Sequence, residues 1–262
     1  MTIIVRPFEC QRDELTIRGK EFFPDNADRR LAPVIISHGF TADMTSTAKY
    51  GEFLAEQGYH AYTFDFCGGG WNTTSDGDFH KDMTPMTEVE DLVAVMKYVV
   101  KDKTIDPDQL VLMGLSQGGF VSALTAAEYN ERVHALVMYY PALCIPDDAR
   151  NGDMRGIKFD PANIPDTIGE GKFQLSGEYA RSVINMNVYE EIVLFDRPVL
   201  IIHGTGDDVV NYNYSKNAKR AYDKVRTPCM IDLLDGAGHG FQGEDDKRAM
   251  DLTAEFLHAF IR

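Results

Sequence analysis

The sequence predicts an α/β fold, a mostly parallel central sheet flanked by helices on both faces. Three observations predict it. Short continuous apolar runs recur along the 262 residues, as expected of strands buried on both faces. Segments with helical spacing separate them. A Gly-rich turn, Gly114-Leu115-Ser116-Gln117-Gly118-Gly119, joins one apolar run directly to a helical segment. The alternation breaks once, from Cys144 to about Asp196. This divides the chain into a core of residues 1–143 and 197–262 and an inserted subdomain of residues 144–196.

Ile3 to Phe8 and Glu14 to Phe22 read as an antiparallel pair, followed by a loop at Pro24-Asp25-Asn26-Ala27-Asp28. Pro33 to Ser37 is a short buried strand ending in His38-Gly39-Phe40-Thr41. Thr47 to Gln57 has helical spacing and stops at Gly58. His60 to Phe66 is the next strand. The loop from Cys67 through Asp78 is Gly-rich, but it lacks the spacing and the basic residue of a phosphate cradle and reads as structural. Met86 to Val100 is a helix with Val89, Leu92, Val93 and Met96 on one face. Gln109 to Met113 is a strand, Ser116 to Glu128 a helix and Val133 to Tyr140 a strand. In the following stretch Pro161, Pro165 and Gly169-Glu170-Gly171 interrupt scattered apolar residues. A structureless loop of that length is improbable in a compact domain, so a small inserted unit is expected. Pro198 to Ile202 resumes the strands and runs into His203-Gly204-Thr205-Gly206-Asp207. Tyr214 to Asp223 is a helix, Cys229 to Leu234 a strand, Gly236 to Phe241 a loop and Asp245 to Ile261 a closing helix.

The formal net charge of −15 argues against nucleic acid or an anionic membrane as partner, since either favours a basic patch. Cys10, Cys67, Cys144 and Cys229 are scattered without a C-x-x-C, so reduced thiols are expected rather than a metal site or disulfides. Arg6 and Glu9 come early with no apolar h-region, so no secretory signal is expected. No apolar run approaches a membrane span, and a cytoplasmic location follows.

Ligands of such sheets bind beyond the carboxyl ends of the strands. His38, Ser116, Asp207 and His239 all fall just after strands and are expected at one rim. A serine hydroxyl needs a base, which histidine supplies near neutrality, and a buried carboxylate fixes the imidazole tautomer. G-x-S-x-G at a strand-to-helix turn is the nucleophile elbow, whose partners follow in the order Ser, acid, His. Ser116, Asp207 and His239 obey that order, with Asp208 and Asp235 as other acids ending strands. His38 and His203 each precede a Gly and read as supports under the site. An oxyanion hole is expected from the backbone N–H of Gln117, directly after the nucleophile, and of Phe40 in the turn after the Pro33–Ser37 strand.

Gly114-Leu115-Ser116-Gln117-Gly118-Gly119, His38-Gly39-Phe40-Thr41, His203-Gly204-Thr205-Gly206-Asp207-Asp208 and Gly238-His239-Gly240-Phe241 resemble the serine α/β-hydrolases. Within them they resemble the bacterial cinnamoyl (feruloyl) esterases. The resemblance spans almost the whole chain and implies an α/β-hydrolase fold with the inserted subdomain as a lid over an acyl pocket. It puts the acid at Asp207. Leu115 departs from it, since those esterases often have His there. It further implies that polar lid residues meet the ring hydroxyls of the acyl group. Asp148 and Tyr179 match best, with Arg155 where a neutral amide is more usual. Arg155 either alters ring preference or is a surface charge. Homodimers are frequent among such esterases.

The activity the resemblance implies is therefore that of a serine carboxylic-ester hydrolase cleaving hydroxycinnamate (feruloyl or cinnamoyl) esters, small aromatic substrates, through an acyl-enzyme, without metal or organic cofactor. A short-chain acyl esterase or thioesterase and a non-catalytic ligand receptor of the same fold are the alternatives. A peptidase of this fold usually carries a large extra domain, for which this length leaves no room.

Overall fold

The computed structural model of the protein describes residues 2–25 and 29–261. Of the loop expected at Pro24–Asp28, Asn26 to Asp28 lie outside the described residues. The chain opens with β1 (Ile3–Arg12) and β2 (Leu15–Pro24), then β3 (Pro33–Ser37), α1 (Ala48–Glu56), β4 (His60–Phe64), α2 (Pro85–Val99), β5 (Val111–Leu115), α3 (Gln117–Glu128) and β6 (Ala135–Tyr139). A segment of short elements follows: α4 (Ile145–Asn151), β7 (Asp153–Met154), β8 (Ile157–Lys158), β9 (Thr167–Ile168), β10 (Leu175–Ser176), α5 (Glu178–Arg181) and α6 (Val188–Ile192). The chain closes with β11 (Val199–Gly204), α7 (Asn213–Val225), β12 (Cys229–Leu234) and α8 (Gly243–Phe260).

Eight strands form one sheet in the order β1-β2-β4-β3-β5-β6-β11-β12. From β4 to β12 every neighbouring pair is parallel, and the β1–β2 hairpin adds an antiparallel edge. Successive side chains of a strand face opposite sides. Val34 and Ile36 thus pack with Tyr50 and Leu54 of α1 and Phe256 and Leu257 of α8. Ile35 joins Leu92 and Val95 of α2, Phe120 of α3 and Tyr222 of α7. At the start of α2 the Thr84 hydroxyl accepts from Thr87 N–H, and Pro85 takes the first turn, where its missing N–H costs nothing.

Four strands run beyond their expected ends: β1 to Arg12, β2 to Pro24, β5 to Leu115 and β11 to Gly204. β5 reaches Leu115 because β3 and β6 flank it and continue the ladder, Ser37 opposite Gly114 and Tyr139 opposite Leu115. A glycine read as a breaker is carried by hydrogen bonds from both sides. β11 likewise reaches Gly204 opposite Leu234. Residues 144–196 share the main core: Ile145, Met154, Ile157, Leu175 and Tyr179 belong to the α2–α3 layer. A buried side chain of this size contributes about 1.5–3 kcal/mol. That outweighs the two-residue pairings of β7 with β8 and β9 with β10, which alone would not persist. Among the described residues no helix is long and apolar enough to cross a membrane.

Candidate active site

The parallel strands deliver their following turns to one edge of the sheet. At the turn from β5 to α3, Ser116 has φ 54° and ψ −119°, a conformation L-residues resist. The surroundings hold it there. Ser116 N–H donates to Tyr139 O at 3.0 Å, and its carbonyl accepts from Gly119 N–H at 3.0 Å and Ala142 N–H at 2.9 Å. A Cβ on Gly114 would meet Gly118 O at 2.1 Å, and one on Gly118 would meet His38 O at 2.3 Å. Both positions need glycine because backbone passes backbone there.

Ser116 Oγ lies 3.0 Å from His239 Nε2, and His239 Nδ1–H donates to Asp207 Oδ2 at 2.8 Å. The Asp207 side chain is wholly buried. Its Oδ1 accepts from Val209 and Val210 N–H, both at 2.8 Å. His203, also buried, donates from Nε2 to Asp207 Oδ2 at 3.1 Å and to Val210 O at 3.0 Å, with Nδ1 2.7 Å from the Ser215 hydroxyl. Burial pushes the Asp207 carboxyl up, but the bonds from His203, His239 and Val210 N–H together hold it well below the usual carboxylate range. Asp208 is exposed, and Asp235 accepts from the Thr205 hydroxyl at 3.1 Å. Tyr140 packs its ring 4.6 Å from that of His239.

The turn after β3 lies against the serine, since a Cβ on Gly39 would sit 3.1 Å from Ser116 Cβ. Buried His38 braces this turn. Nδ1–H donates to Gly39 O at 2.8 Å and Nε2 accepts from Phe66 N–H at 3.2 Å. Burial lowers its pKa, which suits a neutral ring with one donor and one acceptor nitrogen. Among the described residues neither Phe40 N–H nor Gln117 N–H has a protein acceptor.

A narrow cavity of about 40 Å³ opens from Ser116, bounded by Phe40, Gln117 and the inserted segment. Asp148, Arg155 and Tyr179 all line it. Burial pushes the Asp148 carboxyl up to about 6. Asp147 and Asp153 add to this, while a hydrogen bond with Cys144 and the charge of Arg155 oppose it. Arg155 sits at the β7–β8 turn, exposed and with φ 56°, and makes no ion pair or hydrogen bond among the described residues. Tyr179 is buried and donates its O–H to Gln117 Oε1; Gln117 Nε2 donates in turn to Glu88 Oε2 at 2.8 Å. Desolvation pushes the fully buried Glu88 carboxyl well above its ordinary range, against a smaller lowering by Gln117. The loop after β4 reaches the same segment. Trp71 Nε1–H donates to Lys172 O at 3.2 Å, and His80 Nδ1 lies 2.7 Å from Gln174 O.

At the opposite end of the sheet Glu21, His60 and Asp102 offer ligand atoms within 4.8 Å of one another. Arg6 already takes both Glu21 oxygens, at 3.1 and 2.9 Å, and His60 Nε2 lies 2.9 Å from Glu21 Oε2, while Asp102 Oδ1 accepts from the N–H and hydroxyl of Thr104, so the bonds of Glu21 are those of a structural network.

A model of the prolyl oligopeptidase family matches residues 45–261. The chain belongs to the prolyl oligopeptidase family. Est1E from Butyrivibrio proteoclasticus, solved with ferulic acid bound, is 29% identical at a TM-score of 0.88, covering 97% of this chain and 99% of that one. Another Est1E structure is 26% identical at a TM-score of 0.83, covering 96% and 99%. YqkD of Bacillus subtilis (strain 168), an uncharacterized protein, is 26% identical over 230 residues, 86% of this chain and 70% of that relative. Sheet order and these likenesses make this member of the family a serine α/β-hydrolase of the esterase kind.

Proposed function

We propose that the protein hydrolyses hydroxycinnamate (feruloyl or cinnamoyl) esters through an acyl-enzyme. Ser116 Oγ attacks the ester carbonyl as its proton passes to His239 Nε2. Asp207 fixes the His239 tautomer and steadies the imidazolium. The N–H groups of Phe40 and Gln117 receive the oxyanion. The alkoxide leaves with the proton from His239. Water, giving a proton to the same nitrogen, attacks the acyl-serine and releases the free acid. Residues 144–196 act as a lid, with Asp148, Tyr179 and Arg155 facing the acyl group. The observation that carries the reading is the hydrogen-bonded line Ser116–His239–Asp207 opening into a cavity whose wall the inserted segment supplies. The likeness to a structure that binds ferulic acid supports the acyl assignment. The free cysteines fit a reducing, cytoplasmic setting.

The small cavity favours a second reading, a short-chain acyl esterase or thioesterase. Rates for methyl ferulate and p-nitrophenyl butyrate, with wild type and Ser116→Ala side by side, separate the two. The first reading expects higher kcat/KM for the ferulate ester, lost in the variant. A preference for butyrate retains the mechanism and rejects the cinnamate assignment.

A further inference from the structure

His239 stands in a loop that does little to hold itself. From Gly238 to Phe241 the backbone makes no hydrogen bond among the described residues. A Cβ on Gly236, Gly238 or Gly240 would meet nothing within 4 Å, so no neighbouring chain clamps the loop at those positions. The imidazole must nevertheless bridge Ser116 and Asp207, and it takes its place from what it packs on. That surface is the ring of Tyr140, just after β6, 4.6 Å from the His239 ring at 59°. The same ring meets Phe241, a buried anchor of the loop, edge-on at 4.8 Å. Tyr140 is pinned in turn. Its N–H donates to Ile202 O at 2.7 Å. Its hydroxyl meets that of Tyr50 on α1, whose O–H donates to Asp246 Oδ1 on α8 at 2.6 Å. Its backbone has φ 36°, which a bulky side chain resists. Such strain persists only where the surroundings over-determine it, and it gathers at functional sites. The segment around Tyr140 also grips the nucleophile, since Tyr139 O accepts from Ser116 N–H and Ala142 N–H donates to Ser116 O. One short stretch thus carries Ser116 on its main chain and His239 on its ring.

We propose that Tyr140 is a positioning residue for the general base, its ring being the platform that keeps the His239 imidazole in line between Ser116 Oγ and Asp207 Oδ2. The inference rests on the acyl-enzyme mechanism and not on which acyl group the pocket takes. Tyr140 is not part of the wall of the cavity that opens from Ser116, so it acts through His239 and not on substrate. A base displaced by a fraction of an ångström slows proton transfer without weakening substrate binding.

The test compares Tyr140→Phe, which keeps the ring, with Tyr140→Ala, which removes it, on whichever of methyl ferulate and p-nitrophenyl butyrate the wild type hydrolyses. Tyr140→Phe is expected to keep most of kcat. Tyr140→Ala is expected to lower kcat by about 10- to 100-fold with KM little changed. Tyr140→Leu, which fills the space without a flat face, carries the test if the Ala variant does not fold, with a loss in the same direction. Rates are expressed per folded molecule, counted by proton NMR, so a merely structural role, which lowers the folded fraction, leaves them unmoved. The same spectra give a second readout. The Nδ1–H that His239 donates to Asp207, assigned by its absence from His239→Ala, is expected far downfield in wild type and Tyr140→Phe and lost in Tyr140→Ala. Wild-type kcat per folded molecule in the Ala or Leu variant, or that signal unchanged in it, overturns the proposal. Absence of Ser116-dependent turnover in wild type, judged against Ser116→Ala, rejects the acyl-enzyme mechanism and this proposal together. Ser116-dependent turnover that loss of the Tyr140 ring leaves intact rejects the proposal alone.

Discussion

Asp207 and Asp148 are both aspartates near the serine, but one belongs to the rim of the parallel sheet and the other to the inserted segment. Four donors meet Asp207, two from backbone after β11 and one each from His203 and His239, and its proton is held off far into acid. Asp148 is half-buried near Asp147 and Asp153 and keeps its proton up to about 6. The difference teaches where each charge is meant to be fixed. A charge that must face a developing imidazolium is built on rigid strand ends with saturated hydrogen bonds. In the inserted segment a carboxyl without such donors is left for whatever enters the cavity.

The largest effect comes from breaking the rim. Asp207→Asn puts an amide where His239 Nδ1–H needs an acceptor and is expected to lower kcat by about 10⁴-fold. The loss falls equally on cinnamate and butyrate esters, measured by steady-state rates, because the rim serves every acyl group. A loss confined to cinnamates would contradict the division between the regions.

The smaller effect concerns Asp148 and reads out as stability. The unfolded chain releases this proton at about pH 4, and the folded protein at about 6. Between those values the folded state binds more protons, so stability falls as pH rises and stays lower above pH 6. Allowing for solvent screening of a partly exposed group, the fall is on the order of 1 kcal/mol. Asp148→Asn removes this contribution, so urea unfolding at pH 5 and pH 8 should differ less in the variant than in wild type. Equal differences would place Asp148 among ordinary surface carboxylates.

The two regions also differ in how far the sequence discloses them. Ser116, Asp207 and His239 each sit in a short Gly-marked turn after an apolar run, so local pattern is enough to nominate them, and the structure brings their side chains within hydrogen-bond distance. Strand ends were less legible: β5 passes through Gly114 because neighbours distant in sequence supply its ladder. Glu88 gives no sign at all. It lies in the first turn of α2 beside Val89, and its burial and its bond with Gln117 at the start of α3 come from packing that local spacing does not show. His203 was expected as a support under the site, yet its bond to Asp207 Oδ2 depends on the turn after β11 folding back, which spacing alone does not specify. Trp71, in a loop that reads as plain structure, and His80, just beyond that loop, reach the inserted segment through contacts separated by about a hundred residues.

The claim that the rim performs nucleophilic catalysis is tested most directly by trapping the acyl-enzyme. Wild type mixed briefly with an activated ferulate ester, quenched in acid and digested, is expected to carry one feruloyl group on the peptide containing Ser116, and Ser116→Ala to carry none. A feruloyl group on another residue, or turnover without any trapped acyl-serine in wild type and equal turnover in Ser116→Ala, would contradict it.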